Sequence, residues 1–298
     1  MAFLASANGV FLRVAGFFMS IVLLFVVPPQ KGTTIEAADE SNLKLQFTVL
    51  SDVHVGLLHM VQNNGTGFAK TLRDIKGSKR PQDALVFVGD NTALGWGIDY
   101  CGFYGFLSHY KPAPAENTLV AMGNHDIDMG THKRHNFFYQ SYTGTAIDKP
   151  CYSKAVGGYT FIVLNDEKKS WDPDDQLLFE VGQAQLNWLD QTLSAAPAGK
   201  PVFVVFHYRM NDAMRAVVEQ YPNVFVFNGH YHAPPDVQTT NGVHYVNVPA
   251  ISQVDKERPG PGFQVEIYED EVLLRARDYA GGEWLTGHVY PVALEDVL

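Results

Sequence analysis

Apolar residues fall in short continuous runs along this chain, and the runs stop at similar polar side chains. LQFTVL (45–50) runs into Ser51-Asp52-Val53-His54, and ALVFV (84–88) into Gly89-Asp90-Asn91. TLVAM (118–122) runs into Gly123-Asn124-His125-Asp126, PVFVVF (201–206) into His207, and VFVF (224–227) into Asn228-Gly229-His230-Tyr231-His232. Runs of this length and composition predict strands buried on both faces. Between them the spacing turns helical: Phe68, Leu72 and Ile75, then Leu186, Leu189 and Leu193. Met214, Val217, Val218 and Tyr221 repeat it after a cap at Asn211 or Asp212. Alternating strands and helices predict an α/β layered fold. VHYVNVP (243–249), FQVEIYED (263–270) and VLLRARDY (272–279) read as further strands, with a hairpin turn at Glu269-Asp270-Glu271. The ring-rich DYCGFYGFLSHY (99–110) reads as a packed helix or loop, or as a pocket wall.

One polar ending is a turn, because Asn and Asp bond their own backbone. Five predict a shared rim, since open α/β sheets bind ligands beyond the carboxyl ends of their strands. The rim holds four imidazoles (His54, His207, His230, His232), two carboxylates (Asp52, Asp90) and the Asn124 amide, with no thiolate. That donor set suits divalent transition metals better than calcium or a structural zinc. It is too large for one ion with an open position. Two ions sharing a carboxylate, about 3.5–4 Å apart, clamp a phosphoryl centre, so the predicted reaction is hydrolytic phosphoryl transfer. His125 is left to protonate the departing alkoxide. Asp126 either holds that ring in one tautomer or serves the turn. His230-x-His232 points two rings the same way if the segment stays extended.

The net charge of −10 over 298 residues argues against a nucleic-acid partner held by a basic surface. Residues 14–27, VAGFFMSIVLLFVV, follow Arg13 as an uncharged apolar run too short for an ordinary spanning helix. They predict a signal peptide cut before Ala38, or an uncleaved anchor and membrane tether, and so a secreted or extracytoplasmic protein. Residues 1–37 are assigned to that leader and 43–298 to one domain. Cys101 and Cys151 form one disulfide or two packed thiols.

In this order the blocks resemble the calcineurin-like metallophosphoesterase superfamily, whose pattern is D-x-H, G-D, G-N-H-D or G-N-H-E, a lone His, and G-H-x-H. The resemblance implies a four-layer αββα sandwich of two mixed β-sheets flanked by helices, with a dinuclear metal site at the strand C-terminal ends. It assigns Asp52, His54 and His232 to one ion, Asn124, His207 and His230 to the other, and Asp90 to both. The ions would be manganese, iron or zinc, with a metal-bridging hydroxide attacking phosphorus and His125 assisting the leaving group. Purple acid phosphatases carry a metal-binding Tyr where this chain has Ala93, so no purple absorption is expected. Their third block usually ends in Glu, here Asp126. Many relatives carry Pro two residues after the lone His, here Arg209.

The substrate implied is a small-molecule or lipid phosphoester: a diester first, a monoester second. A binding protein on an inactive scaffold stands third, although no ligand is missing. Candidate specificity residues are His59, Met60, Asn91, Trp96, His132, Arg134, His135, Tyr208, Arg209 and Tyr231, with Arg134 or Arg209 clasping a phosphate oxygen.

Overall fold

The computed structural model describes residues 32–56, 63–127, 130–149, 151–166, 168–171, 177–252 and 260–294. The leader core, His59 and Met60 lie outside them. Among the described residues no helix is long and apolar enough to cross a membrane.

Each predicted run forms a strand: β1 (Leu45–Leu50), β2 (Ala84–Phe87), β3 (Thr118–Val120), β8 (Val202–Val205) and β9 (Val224–Asn228). The sequence patterns had not marked the hairpin of β4 (Tyr152–Val156) and β5 (Tyr159–Val163), nor β10 (Asp236–Thr240) and β14 (Glu283–Ala293). A small hairpin, β6 (Lys168–Trp171) with β7 (Leu177–Glu180), stands apart from the two main sheets. With β11 (Val243–Asn247), β12 (Pro261–Ile267) and β13 (Glu271–Asp278), these make two six-stranded sheets, ordered β14-β13-β12-β1-β2-β3 and β10-β11-β9-β8-β5-β4. Both are mixed: β1, β2 and β3 run parallel, as do β5, β8, β9 and β11, while the remaining pairs are antiparallel. Glu271 opens β13 rather than closing the hairpin turn.

Alternation along the strands sorts side chains into layers. Phe47 and Val49 of β1 meet Phe203 and Val205 of β8 between the sheets. Leu85 and Phe87 point the other way, against α1 (Asn63–Lys76), α2 (Gly97–Tyr110) and α4 (His132–Thr143); the single turn α3 (Asn124–Ile127) precedes α4. Val202, Val204 and Phe206 face α5 (Gln183–Ser194) and α6 (Asp212–Val218). A strand covered on both faces has no polar side, so its sequence is a continuous apolar run. The ring-rich stretch is the packed helix α2, buried from Asp99 to Leu107. Asn211 caps α6 by accepting from Met214 N at 3.0 Å, and the helix stops at Val218, short of Tyr221. Cys101 and Cys151 are free thiols.

The packed body begins ahead of residue 43. Ile35, only 1 % exposed, joins the cluster of Leu72 and Ile75. Its carbonyl accepts from Lys79 N at 2.9 Å, and Thr33 N donates to Gly282 O at 2.9 Å. The wholly buried Arg277 grips Asp74 with two bonds of 2.7 and 2.9 Å and also donates to Thr33 O. Ile35→Ala is expected to cost about 2–4 kcal/mol. A denaturation midpoint that falls at unchanged m-value checks it.

Candidate metal centre

Every strand named in the rim stops just short of its ligand, and the chain then turns hard. Asp52, His54, Asp90, His230 and His232 have φ of 54, 49, 50, 68 and 49°. This left-handed region is sparsely used by side-chain-bearing residues, though Asp and His enter it more readily than β-branched ones. Each such residue costs roughly 1 kcal/mol or more and persists where the surroundings hold it. The turns fold the side chains back over the ends of both sheets. Gly123 is needed for the closeness this creates: a Cβ there would lie 2.2 Å from Asp90 Oδ1.

The condition set for His230-x-His232, an extended segment, is not met. β9 ends at Asn228, and the two left-handed residues send their rings to different neighbours. Two ligand groups result, Asp52–His54–His232 and Asp90–His207–His230, the candidate atoms in each lying within 4.8 Å of one another. A third group, His54–Asp90–His125, overlaps the first two, so Asp90 stands between them.

Asp52, Asp90 and His207 each have one atom held by the protein and another turned to the centre. Asp52 Oδ2 accepts from Ser51 Oγ at 2.5 Å and His230 N at 3.1 Å, leaving Oδ1 3.1 Å from His232 Nε2 and 3.8 Å from His54 Nε2. Asp90 Oδ1 accepts from His125 N at 2.9 Å, while Oδ2 lies 3.3 Å from His207 Nε2 and 3.8 Å from His54 Nε2. His207 Nδ1 donates to Val88 O at 3.1 Å, which fixes the tautomer and frees Nε2. Asn124 Oδ1 is buried and makes no hydrogen bond, and Asp52 Oδ1 and His207 Nε2, also buried, face only other members of the two groups. Such acceptors on three elements, converging without thiolates, fit two cations of the zinc–manganese–iron class.

The electrostatics agree. Burial raises the Asp90 carboxyl, but His207, His54 and His125 outweigh it and hold the pKa below the carboxylate range. Burial opposes charge on His207, yet Asp90, then Asp52 and Asp126, lift it to about 9. His54 goes the other way, lowered to about 4 by burial against the pull of Asp90 and Asp52. The protein thus maintains ionised carboxylates in a site that is mostly buried.

Of its two expected roles, Asp126 takes the turn. Its carboxyl is wholly buried and accepts from Asn91 N (3.1 Å), Asn91 Nδ2 (3.0 Å), Thr92 N (2.9 Å), Thr92 Oγ1 (2.7 Å) and Gly123 N (3.0 Å). Burial, then the Asp90 charge, raises its pKa to about 6 against those bonds. Asp126 therefore pins the G-D loop to the G-N-H-D turn. The His125 ring is oriented by Ala93 instead, whose carbonyl lies 2.8 Å from Nδ1. Nδ1 donates there, which fixes the orientation of the ring. A backbone oxygen carries no residue signature, so the pattern gave no sign of this partner.

The substrate candidates scatter. Arg134 donates from Nη1 to Gly95 O at 2.7 Å, bracing the loop after Asp90. The Arg209 guanidinium lies 4.4 Å over the Tyr231 ring. Tyr208 is buried, its ring 4.9 Å from those of both His207 and His230, so it supports ligands rather than lining a mouth. Asn91 is buried under Asp126. His132 and His135 belong to α4, not a loop, and His135 is buried behind Tyr100 and Tyr139. Thr131, which caps α4 through Arg134 N at 3.1 Å, was the available signal for that helix. Trp96 is exposed.

A family model described as calcineurin-like phosphoesterase matches residues 45–234. A comparison with curated proteins returned no match. Among solved structures, a dimetal phosphatase from Danio rerio superposes with a TM-score of 0.66 at 12 % identity, over 85 % of this chain and 100 % of that one. A purple acid phosphatase from yellow lupin (Lupinus luteus) seeds gives a TM-score of 0.58 at 13 % identity, over 84 % of this chain and 53 % of that one.

Proposed function

This chain belongs to the calcineurin-like phosphoesterase family, as a metal-dependent phosphoester hydrolase with a dinuclear site, and from that premise we propose that its substrate is a phosphodiester. The observation that supports the diester is where the two candidate arginines lie. A monoester dianion brings more charge than a diester monoanion and is commonly held by a bidentate guanidinium. Arg134 is bonded to Gly95 O and Arg209 is stacked on Tyr231. A monoester is the second reading, because both fold relatives above are named as phosphatases.

In this reading Asp52, His54 and His232 would hold one ion, Asn124, His207 and His230 the other, and Asp90 would serve both. Manganese, iron or zinc fits the donors. When bound, such ions supply Lewis acidity at phosphoryl oxygens and make water easier to deprotonate. The chain's own part is to place these ligands before substrate arrives and to deliver a proton. His125, fixed through Nδ1 by Ala93 O, presents Nε2 to the departing alkoxide. An extracytoplasmic location, through residues 14–27, belongs to the same proposal.

The test pairs bis-p-nitrophenyl phosphate with p-nitrophenyl phosphate on the protein loaded with manganese or zinc. A higher kcat/KM for the diester is expected, abolished by chelation. His125→Ala should cost about 100- to 10,000-fold on substrates with poor leaving groups, and less on nitrophenol. Preference for the monoester would replace the first reading with the second. No turnover with both ions bound would leave a binding protein.

A further inference from the structure

Residues 32–39 form neither helix nor strand, yet the domain holds them along their length. A Cβ on Gly32 would lie 2.6 Å from Gly282 O. Thr33 N and Oγ1 donate to that carbonyl at 2.9 and 3.2 Å, and Arg277 donates to both Thr33 oxygens. Arg275 donates to Glu36 O, Ala38 N to the buried Glu266 carboxylate at 2.9 Å, and Asp39 N to Tyr268 Oη at 3.1 Å. A cut before Ala38 would empty the place of Ile35 in the core and take the Thr33 oxygens from a wholly buried guanidinium. Both losses are strongly unfavourable. A cut that spares this segment must fall between the apolar run and Thr33. Export peptidases require small residues at the first and third positions before the bond. PPQKG (28–32) offers only Gly32, with Gln30 at the third position.

We propose that the chain keeps residues 1–31 and that they tether it to a lipid bilayer, with the metal-bearing end of the domain toward that bilayer. The inference stands apart from which ester is cleaved. Residues 1–30 carry one charge, Arg13, so apolar character extends ahead of 14–27 and the retained length suits a bilayer. Direction follows from where Gly32 and Thr33 are docked. Gly282 N donates to Asp278 O at 2.8 Å, Asp278 pairs with Pro261, and Phe263 of the same strand pairs with Val49. Val49 lies three residues before Asp52, so the segment meets the sheet at the end that carries the ligands. The opposite end is the β12–β13 hairpin, where Ile267 pairs with Leu45. From Val27 to Thr33 the chain reaches at most about 20 Å, under half the roughly 45 Å breadth of a domain of this size. The ligand-bearing end is therefore held nearer to the bilayer than the hairpin is.

The experiment expresses the full chain, tagged at its C-terminus, in cells that export it, and reads its intact mass and its division between membrane and soluble fractions. The expected product retains residues 14–27, stays with the membranes through an alkaline carbonate wash and is released by detergent. A soluble product beginning at Ala38 would overturn the inference, as would an uncut chain that carbonate extracts. Gln30→Ala sets a small residue at the third position before the bond that follows Gly32, and should release a soluble domain that begins at Thr33 with an unchanged thermal midpoint. Release of that variant at Ala38 with the same midpoint would show the docked segment to be dispensable and sink the inference. Orientation is read in phosphatidylcholine vesicles on a Cys101→Ser, Cys151→Ser background, which removes both free thiols. A donor dye at Tyr231→Cys, between two metal ligands, should transfer more energy to headgroup-labelled lipid than one at Asp270→Cys in the hairpin. Equal or reversed transfer would overturn the placement of the metal-bearing end.

Discussion

Asp90→Asn is expected to lower kcat/KM for the preferred phosphoester by about 1,000-fold or more, because it weakens both halves of a two-ion site at once. Asp90 Oδ2 is the carboxylate atom that faces His54 on one side and His207 on the other. The substitution keeps shape, and an amide oxygen can still accept from His125 N, as Asp90 Oδ1 does at 2.9 Å. What disappears is the negative charge that keeps His207 basic and attracts cations to the centre. Metal content is the direct readout: two ions per chain should fall to one or none by elemental analysis, with the folded signal retained. A variant that still held two ions and turned over at the original rate would remove Asp90 from the bridge. The same substitution should make the activity of a partly loaded protein respond steeply to added metal, since each ion then binds without the shared anion.

Asp126→Ala is expected to act on stability first. Five donors converge on this buried carboxylate, and truncation leaves them facing an empty, dry space. Buried donors without partners cost roughly 1–3 kcal/mol each and do not sum fully, so a loss of about 4–5 kcal/mol is expected. In a domain of this size that lowers the thermal midpoint by about 10 °C or more. Asp126→Asn, which keeps one acceptor and turns an amide toward donors, should fall between. Loss of activity would follow indirectly, because the loop carrying Asp90 and Ala93 would no longer be fixed to the turn carrying Asn124 and His125. If Asp126→Ala kept its stability within about 1 kcal/mol and lost only turnover, Asp126 would be acting on the His125 ring after all.

The framework was legible in the sequence for a simple physical reason. Strands covered on both faces must be apolar throughout, so the five that carry the site stood out as runs, and their polar endings stood out against them. The less regular strands did not. β4 alternates between exposed and half-buried positions, and β10 is polar and largely exposed, so neither interrupts the loop-like composition around it. The helix at His132–Thr143 was hidden for a related cause, a sequence of mixed polar and aromatic residues whose helical face meets α2 through aromatic rings.

The sequence by itself determined the donor set: which residue types stand at the strand ends, in what order, and hence that the centre suits two cations and a phosphoester. Tertiary structure decided how those donors divide. The separation of the His230 and His232 rings is made by left-handed backbone dihedrals at 230 and 232, a conformation that histidine tolerates but does not by itself announce. It also decided that Asp126 braces the loop after Asp90 and that a main-chain oxygen of Ala93 holds the His125 ring. Contacts of that kind form between segments more than thirty positions apart, and they depend on where the backbone runs rather than on which side chain is present.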